Sequence, residues 1–459
     1  MGSRKSEFKK ASASIAFDKG HRKTIRFNMS KYDAAVANGK LRYRNLQNAR
    51  TQASAKKEQV LDSIADYLEL FEKNFTANGG TVLWAKDATE ATAHIQSIIE
   101  KNGAKTIVKS KSMTSEEIDF NHVVEHLGAT SIETDLGEYI VQLAGEKPYH
   151  IVTPAMHKSK ADINELFHKQ FGFPLNSSAE AMTMLARKNL RDMFTSADIG
   201  VTGANFILPD IGAIAVTENE GNAIMSTAFP KTHIAIAGIE KLLPSVEDLA
   251  LFWPHLASHG TGQAVTVYNS IFSGPKQKNE GNGPQEMYVI LLDNGRTNLF
   301  ADEDARVALS CIRCGACLNA CPIYRNIGGY TYASTYQGPI GSVITPHLVD
   351  MKDYGHLSTA CSLCGKCGEV CPVKIPLPEL LLKNRDKYTK AAPVFADKMS
   401  MVGFSKTMGS RTKLDLLPGT LKNTMLQLFA SSAWGTKRAL PKVAKQSFAQ
   451  QWKKRKKSE

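Results

Sequence analysis

Eight cysteines carry the most specific chemistry in this chain, and none lies before residue 311. Cys311, Cys314, Cys317 and Cys321 stand in CIRCGACLNACP, and Cys361, Cys364, Cys367 and Cys371 stand in CSLCGKCGEVCP. Both read C-x2-C-x2-C-x3-C-P, a run that holds iron–sulfur clusters. Three thiolates spaced two residues apart can wrap one cubane from a single tight loop. Gly315 and Gly365 sit where the backbone comes close to inorganic sulfide, an approach easiest for a residue without Cβ. The fourth thiolate points away from that loop, and Pro322 and Pro372 fix the exit of the chain.

In two-cluster proteins of this kind the fourth cysteine crosses to the other cluster. That assigns one 4Fe-4S cluster to Cys311, Cys314, Cys317 and Cys371, and the second to Cys361, Cys364, Cys367 and Cys321. Three other uses of cysteine compete. Disulfides suit small secreted scaffolds, and zinc prefers two separated C-x2-C pairs around one ion. Buried structural cysteines would not fall into two copies of one pattern. Iron–sulfur ligation accounts for all eight.

Reduced thiolates require a reducing compartment, so the cytoplasm is expected, with peripheral contact at the inner membrane face as an addition. The N-terminal MGSRKSEFKKASAS has no apolar h-region, so a standard signal peptide is not expected. No apolar run of about 18 residues is present, which excludes a conventional spanning helix. The chain carries 57 Lys plus Arg against 44 Asp plus Glu, a net charge of +13 that favours an acidic partner or surface without naming one.

These ligands must be positioned by the rest of 459 residues, enough for about three domains. Residues 1–50 are basic and loosely patterned. Val60, Leu61, Ile64, Leu68 and Phe71 recur at helical spacing, predicting one amphipathic helix over 52–75. Strands are predicted at 81–85, 105–110, 149–155, 198–203, 212–218, 232–238, 264–270 and 287–294. Helices are predicted at ATEATAHIQSIIEKNG, TSEEIDFNHVVEHLG and SAEAMTMLARKNLRDMF. Such alternation argues an α/β domain with a largely parallel sheet. Neither G-x-G-x-x-G after a strand nor G-x-x-x-x-G-K-[ST] occurs, so standard dinucleotide and nucleoside-triphosphate sites have no support. Between the cysteine runs, Gly328-Gly329 and Gly338-Pro339 break the chain before a helix around Ile340–Leu348. From 373 the chain is helical and basic, ending in KKRKK (453–457), read as a solvated, unstructured end. Anionic lipid or an acidic partner are its other uses, and no nucleic-acid motif accompanies it.

The GYTY and GPIG segments between the runs resemble the helical ferredoxin part of succinate dehydrogenase, glycolate oxidase and heterodisulfide reductase subunits. Two further segments, ETDLGEYIVQLAGEKPYHIVTPAMHK (133–158) and GVTGANFILPDIGAIAVTENEGNA (200–223), lie upstream of the double cysteine run. Together they closely resemble the lactate-utilisation protein B family of bacterial iron–sulfur proteins. The resemblance covers nearly the whole chain, and all eight cysteines carry over position for position. It implies a basic N-terminal segment with a helix at 1–64 and an α/β lactate-utilisation (LUD) domain at 65–300. A helical ferredoxin domain with two 4Fe-4S clusters follows at 301–385, and a helical basic extension at 386–459. The LUD domain is similar to the CoA-transferase and sugar-phosphate-isomerase superfamily. The implied function is an electron-transfer subunit for L-lactate oxidation to pyruvate, without catalysis by this chain alone. Its implied partners are a cysteine-rich iron–sulfur subunit and a smaller LUD-domain subunit.

Other residues are weighed apart from that resemblance. Glu218 and Glu220 in VTENEGNA partly echo the S-E-N-G nucleophile of some CoA transferases, so an acyl or CoA-type transferase with accessory clusters is the alternative function. A strand-end turn with Asn219, Gly221 and Asn222 is the plainer reading, and Asn205 and Asp210 share that setting. His255 and His259 have i, i+4 spacing without the zincin glutamate, and are read as structural. Asp135, Glu138 and Glu146 are read as solvated loop acids rather than cleft residues.

Overall fold

The computed structural model describes residues 3–435 and 439–458. Four helices precede the first strand: α1 (Arg4–Ala16), α2 (Lys19–Lys40), α3 (Leu46–Asp62) and α4 (Ile64–Ala77). The loosely patterned start is thus helical, because Ser3, Asp18 and Asn45 each put a side-chain oxygen on a first-turn N–H. The single helix expected over 52–75 is broken at Ser63, whose φ of −137° and ψ of 37° are not helical. The break sends Leu61 into the core shared with the cysteine region, while Leu68 and Phe71 pack on the sheet.

The α/β part begins with β1 (Thr81–Ala85), α5 (Ala88–Asn102), β2 (Thr106–Lys109), α6 (Met113–Glu117), α7 (Phe120–His126) and β3 (Thr130–Glu133). It continues with α8 (Leu136–Leu143), α9 (Lys160–Phe171), α10 (Ala179–Ser196), β4 (Ile199–Gly203), β5 (Phe206–Leu208) and β6 (Ala213–Glu218). Then come α11 (Asn222–Ala228), β7 (Thr232–Gly238), α12 (Leu249–Gly260), β8 (Tyr268–Phe272), β9 (Glu286–Leu292) and α13 (Arg296–Ala301). Six strands form one parallel sheet, in the order β1-β9-β7-β4-β2-β3, and β5-β6-β8 form a small antiparallel sheet.

Helix α5 shows how the layers assemble. Asp87 caps its start by accepting from the Glu90 N–H, and Gly103 ends it in the left-handed region at φ 56°. Ala91, Ile95, Ile98 and Ile99 fall on one face and are buried against the sheet. Each isoleucine contributes about 1.5–3 kcal/mol of burial, so a polar substitution at Ile95 would detach the helix. The sheet is covered on both sides: Ile234, Ile236, Ile290 and Leu292 face α5, whereas Ala235, Ala237, Val289 and Leu291 face Phe71 and Phe75 of α4. Double coverage explains why β7 and β9 read as continuous apolar runs.

Several elements depart from the sequence reading. Residues 149–155 form no strand: Pro148 and Pro154 remove donors, and the loop closes with Tyr149 N–H donating to the Pro154 carbonyl at 2.9 Å. The strand expected at 264–270 lies at Tyr268–Phe272. TSEEIDFNHVVEHLG splits into α6 and α7 at Asp119, which adopts φ 53°. The short strands β3 and β5, four and three residues long, were not anticipated. The KKRKK tail is helical within Phe448–Ser458, where Phe448 and Trp452 stack at i, i+4 with centroids 5.9 Å apart.

Beyond α13, α14 (Ala316–Ala320) is followed by helices at Gly338–Leu348, Lys366–Val370 and Leu377–Ala391. A continuous core runs from Tyr149 and Phe252 of the α/β part through Leu318, Tyr324 and Ile340 to Leu380. Residues up to Ala391 therefore form one unit, and 392–459 form a second unit containing helices Phe395–Met408 and Gly419–Phe429.

Candidate functional site

The two cysteine runs fold alike. Arg313 and Leu363 have φ of 58° and 54°, and Gly315 and Gly365 have φ of 76° and 81°. Each loop thus uses two left-handed residues, which turn successive peptide N–H groups toward the sulfurs. Arg313 N–H lies 3.4 Å from Cys311 Sγ, and Leu363 N–H lies 3.3 Å from Cys361 Sγ. At the far ends, Tyr324 N–H reaches Cys321 Sγ at 3.5 Å and Ile375 N–H reaches Cys371 Sγ at 3.3 Å. The glycines differ in one respect. A Cβ at Gly315 would meet Val152 at 2.8 Å, whereas one at Gly365 would meet nothing within 4 Å.

Helix α14 packs against the helix Lys366–Val370, and this pairing carries each fourth cysteine across. Cys311, Cys314, Cys317 and Cys371 line one bowl with Ile340, Val373 and Ile375. Cys321, Cys361, Cys364 and Cys367 line the other with Pro339 and Pro378. All eight are free thiols. Among the described residues, no three His, Cys, Asp or Glu side chains converge as a single metal ion needs. Burial pushes the Cys367 thiol up to about 12 and Cys371 up to about 11, and raises Cys314 and Cys317 as well. Bare thiols there hold their protons, so metal must displace them. Four soft sulfur donors, apolar walls and N–H groups on the sulfurs fit a 4Fe-4S cluster in each bowl.

The bowls sit in different surroundings. In the second, Cys361 is half-buried and Cys364 is exposed. The first is enclosed and ringed by cations that the sequence did not single out. Arg50 donates through Nε to the Cys371 carbonyl at 2.9 Å. The Arg313 side chain is 10% exposed, stacks 4.3 Å from the Tyr336 ring and donates to Glu240 at 3.2 Å, while its Nε and Nη1 have no partner among the described residues. Lys57 donates to the Glu240 and Leu242 carbonyls at 2.8 and 2.9 Å. Lys57 stands between Lys56 and Glu58 in α3, a charged run that reads as any solvated face, and only the packing reveals its target.

The remaining candidates are structural for the most part. Glu218 accepts from the Ala223 and Ile224 N–H groups at 2.6 and 3.0 Å, capping α11. Asn205 accepts from the Thr217 N–H, and Asp210 from the Val246 N–H, each at 2.9 Å. His255 and His259 are buried in α12 beside Tyr43. Their Nδ1 atoms contact Tyr43 Oη and the His255 carbonyl at 3.3 and 3.0 Å, but both Nε2 atoms lack partners among the described residues. Of the acids read as solvated, Glu138 is instead buried, because it and Glu133 gather about the buried Lys109 ammonium at 3.9 and 2.9 Å. Glu146 pairs with His157 and Lys158 at 2.6 and 2.7 Å. Asp135 caps α8 and lines a cleft with Glu220.

Comparison with known proteins adds to this geometry. Residues 68–292 match the LUD domain and 307–375 the 4Fe-4S dicluster domain. Lactate utilization protein B of Bacillus pumilus (strain SAFR-032) is 41% identical over 426 residues, covering 88% of both chains. The protein of that name from Shouchella clausii (strain KSM-K16) is 40% identical, covering 90% of this chain and 89% of its own. The uncharacterized electron transport protein YkgF of Escherichia coli (strain K12) is 39% identical, covering 88% and 87%. Among the described residues no helix is long and apolar enough to cross a membrane.

Proposed function

The chain belongs to the lactate utilization protein B family, and on that premise we propose that it is the electron-transfer subunit of a complex oxidising L-lactate to pyruvate. The observation that carries this reading is the pair of four-cysteine bowls, each completed by the last cysteine of the other run. Bound there, two 4Fe-4S clusters supply one-electron acceptance and donation. Cys311, Cys314, Cys317 and Cys371 hold the first, and Cys321, Cys361, Cys364 and Cys367 hold the second. Arg313 and Arg50 place fixed positive charge at the first bowl, which favours its reduced state. The sulfur-directed N–H groups do the same at both.

In this reading 65–300 is the LUD domain, akin to the CoA-transferase and sugar-phosphate-isomerase folds, and 301–385 the two-cluster domain. Residues 1–64 and 386–459 are the N-terminal segment and C-terminal extension. Removing hydrogen from the lactate Cα takes two electrons together, usually onto a flavin or nicotinamide, and neither fingerprint stands in the sequence. All eight cysteines are engaged as ligands, leaving no iron open to substrate. Lactate is therefore oxidised on a partner, a cysteine-rich iron–sulfur subunit acting with a smaller LUD-domain subunit. The complex works in the cytoplasm, with the basic tail available to the inner membrane face.

The test is reduction of the anaerobic protein by L-lactate. Alone, its visible cluster absorbance should persist, and adding the partner subunits should bleach it. Rapid stoichiometric bleaching without partners would move substrate chemistry into this chain.

A further inference from the structure

A cleft of about 350 Å³ opens where two strands of the parallel sheet send their connections in opposite directions. From β2 the chain moves outward to β3 at the sheet edge, whereas from β4 it returns toward β7. Crevices at such divergences, outside the carboxyl ends of parallel strands, are where open α/β sheets bind ligands. The cleft is lined by Ser110–Thr114 after β2, by Gly203 at the end of β4 and by Ala204 and Asn205 after it. The two loops touch so closely that a Cβ at Gly203 would lie 2.8 Å from Ser112 Oγ.

Lys241, in the turn after β7, lines this cleft and is 8% exposed. Among the described residues its ammonium makes no hydrogen bond or ion pair, and the Glu240 carboxylate reaches it only as a nearby charge. The adjacent Glu240 carboxylate is occupied by Arg296 and Arg313. A nearly buried ammonium without a partner is costly, and an anion in the cleft would relieve it. Another part of the cleft is acidic. Glu220 accepts the Leu136 N–H at 2.9 Å and Asp135 accepts the Glu138 N–H at 3.1 Å, leaving Glu220 Oε1 and Asp135 Oδ2 without a hydrogen bond among the described residues. Lys111 donates to the Val152 carbonyl at 2.8 Å and acts on Glu220 only as a nearby charge. Desolvation, then the Asp135 carboxylate, raise the Glu220 carboxyl above its ordinary value, and the Lys111 charge offsets them only in part.

We propose that this cleft binds a small organic acid, its carboxylate on Lys241 and a hydroxyl or ammonium donor at its other end on Glu220 and Asp135. The lining holds as many basic as acidic side chains, Lys111, Lys241 and Arg313 beside Asp135, Glu218 and Glu220. A dianion such as phosphate meets net repulsion at the acidic side, whereas an acid that also carries a donor satisfies both sides. Arg313 and Cys314 form part of the wall, so the ligand lies against the first cysteine bowl.

Calorimetric titration of the anaerobic full-length protein with glycolate, glycine, acetate and inorganic phosphate tests this. Glycolate or glycine should bind saturably, about tenfold or more tighter than acetate, and whichever binds identifies the donor as hydroxyl or ammonium. Lys241→Met should weaken that binding about tenfold or more, Lys241→Arg should retain most of it, and Glu220→Gln should erase the advantage over acetate. Iron content and the visible spectrum, read on every variant, separate loss of the site from loss of fold or cluster, so this inference stands apart from the electron-transfer reading. Tightest binding by phosphate, no saturable heat with any probe, or unchanged affinity in a well-folded Lys241→Met protein would overturn it.

Discussion

Arg296 grips Glu117 with both ends of its fork: Nη1 and Nη2 each donate to a different carboxylate oxygen at 2.9 Å. The pair is buried, and it joins the α/β part to the cysteine region, because Tyr336 also donates to Glu117 at 2.5 Å. Burial opposes the charge on Glu117, but the guanidinium outweighs it and holds the carboxyl below its ordinary value. A depressed carboxylate contributes stability that is complete above the unfolded pKa and disappears as pH falls through the folded one. Thermal melts of the wild type should therefore weaken on acidification below about pH 4. Glu117→Gln leaves the buried guanidinium to Glu240 alone and removes a charged acceptor, so it should cost about 1–3 kcal/mol at pH 7 and flatten that acid dependence. An unchanged melting curve would remove this bolt from the account.

Gly315 and Gly365 occupy matching places with unequal tolerance. Gly365→Ala meets open space and only the left-handed strain, about 1–2 kcal/mol, so both clusters should assemble. Gly315→Ala adds the Val152 collision and should deplete the first cluster. Iron analysis of the two variants checks this, and equal losses would contradict it.

Cys364 is exposed, whereas Cys314 and Cys317 are buried. Oxygen should reach the second cluster first. Low-temperature EPR of samples reduced after graded exposure to air should show one signal fading before the other. The early one should be the signal missing from Cys364→Ser.

Glu218 caps α11 rather than standing free as a nucleophile. Glu218→Gln keeps an acceptor but loses the charge at the helix start, costing about 0.5–1 kcal/mol, and should leave cluster content unaltered. Mass spectrometric capture of a glutamyl thioester on Glu218 after adding an acyl-CoA would reverse that assignment.

What the sequence made legible follows from where information is local. Cysteine spacing is local, so both runs and their glycines were readable, as were the long apolar strands β7 and β9. Residues 149–155 misled because their apolar content suggests a strand, while Pro148 and Pro154 forbid the ladder. Strands β3 and β5 are too short to show a period. Glu138 read as a loop acid because its partner Lys109 lies 29 residues earlier on a different element. Lys241 gave no signal at all, since its place in the cleft depends on the order of the strands.

The account stands most directly on the crossing of the fourth cysteines, and iron and sulfide analysis of two double variants tests it. Wild-type protein purified without oxygen should hold about eight iron and eight sulfide, and Cys371→Ser about four of each. Adding Cys314→Ser to Cys371→Ser should remove nothing more, because both ligands serve one cluster. Adding Cys364→Ser should remove the rest. The reverse pattern, with Cys371→Ser/Cys364→Ser keeping one cluster and Cys371→Ser/Cys314→Ser losing both, would contradict the crossed arrangement.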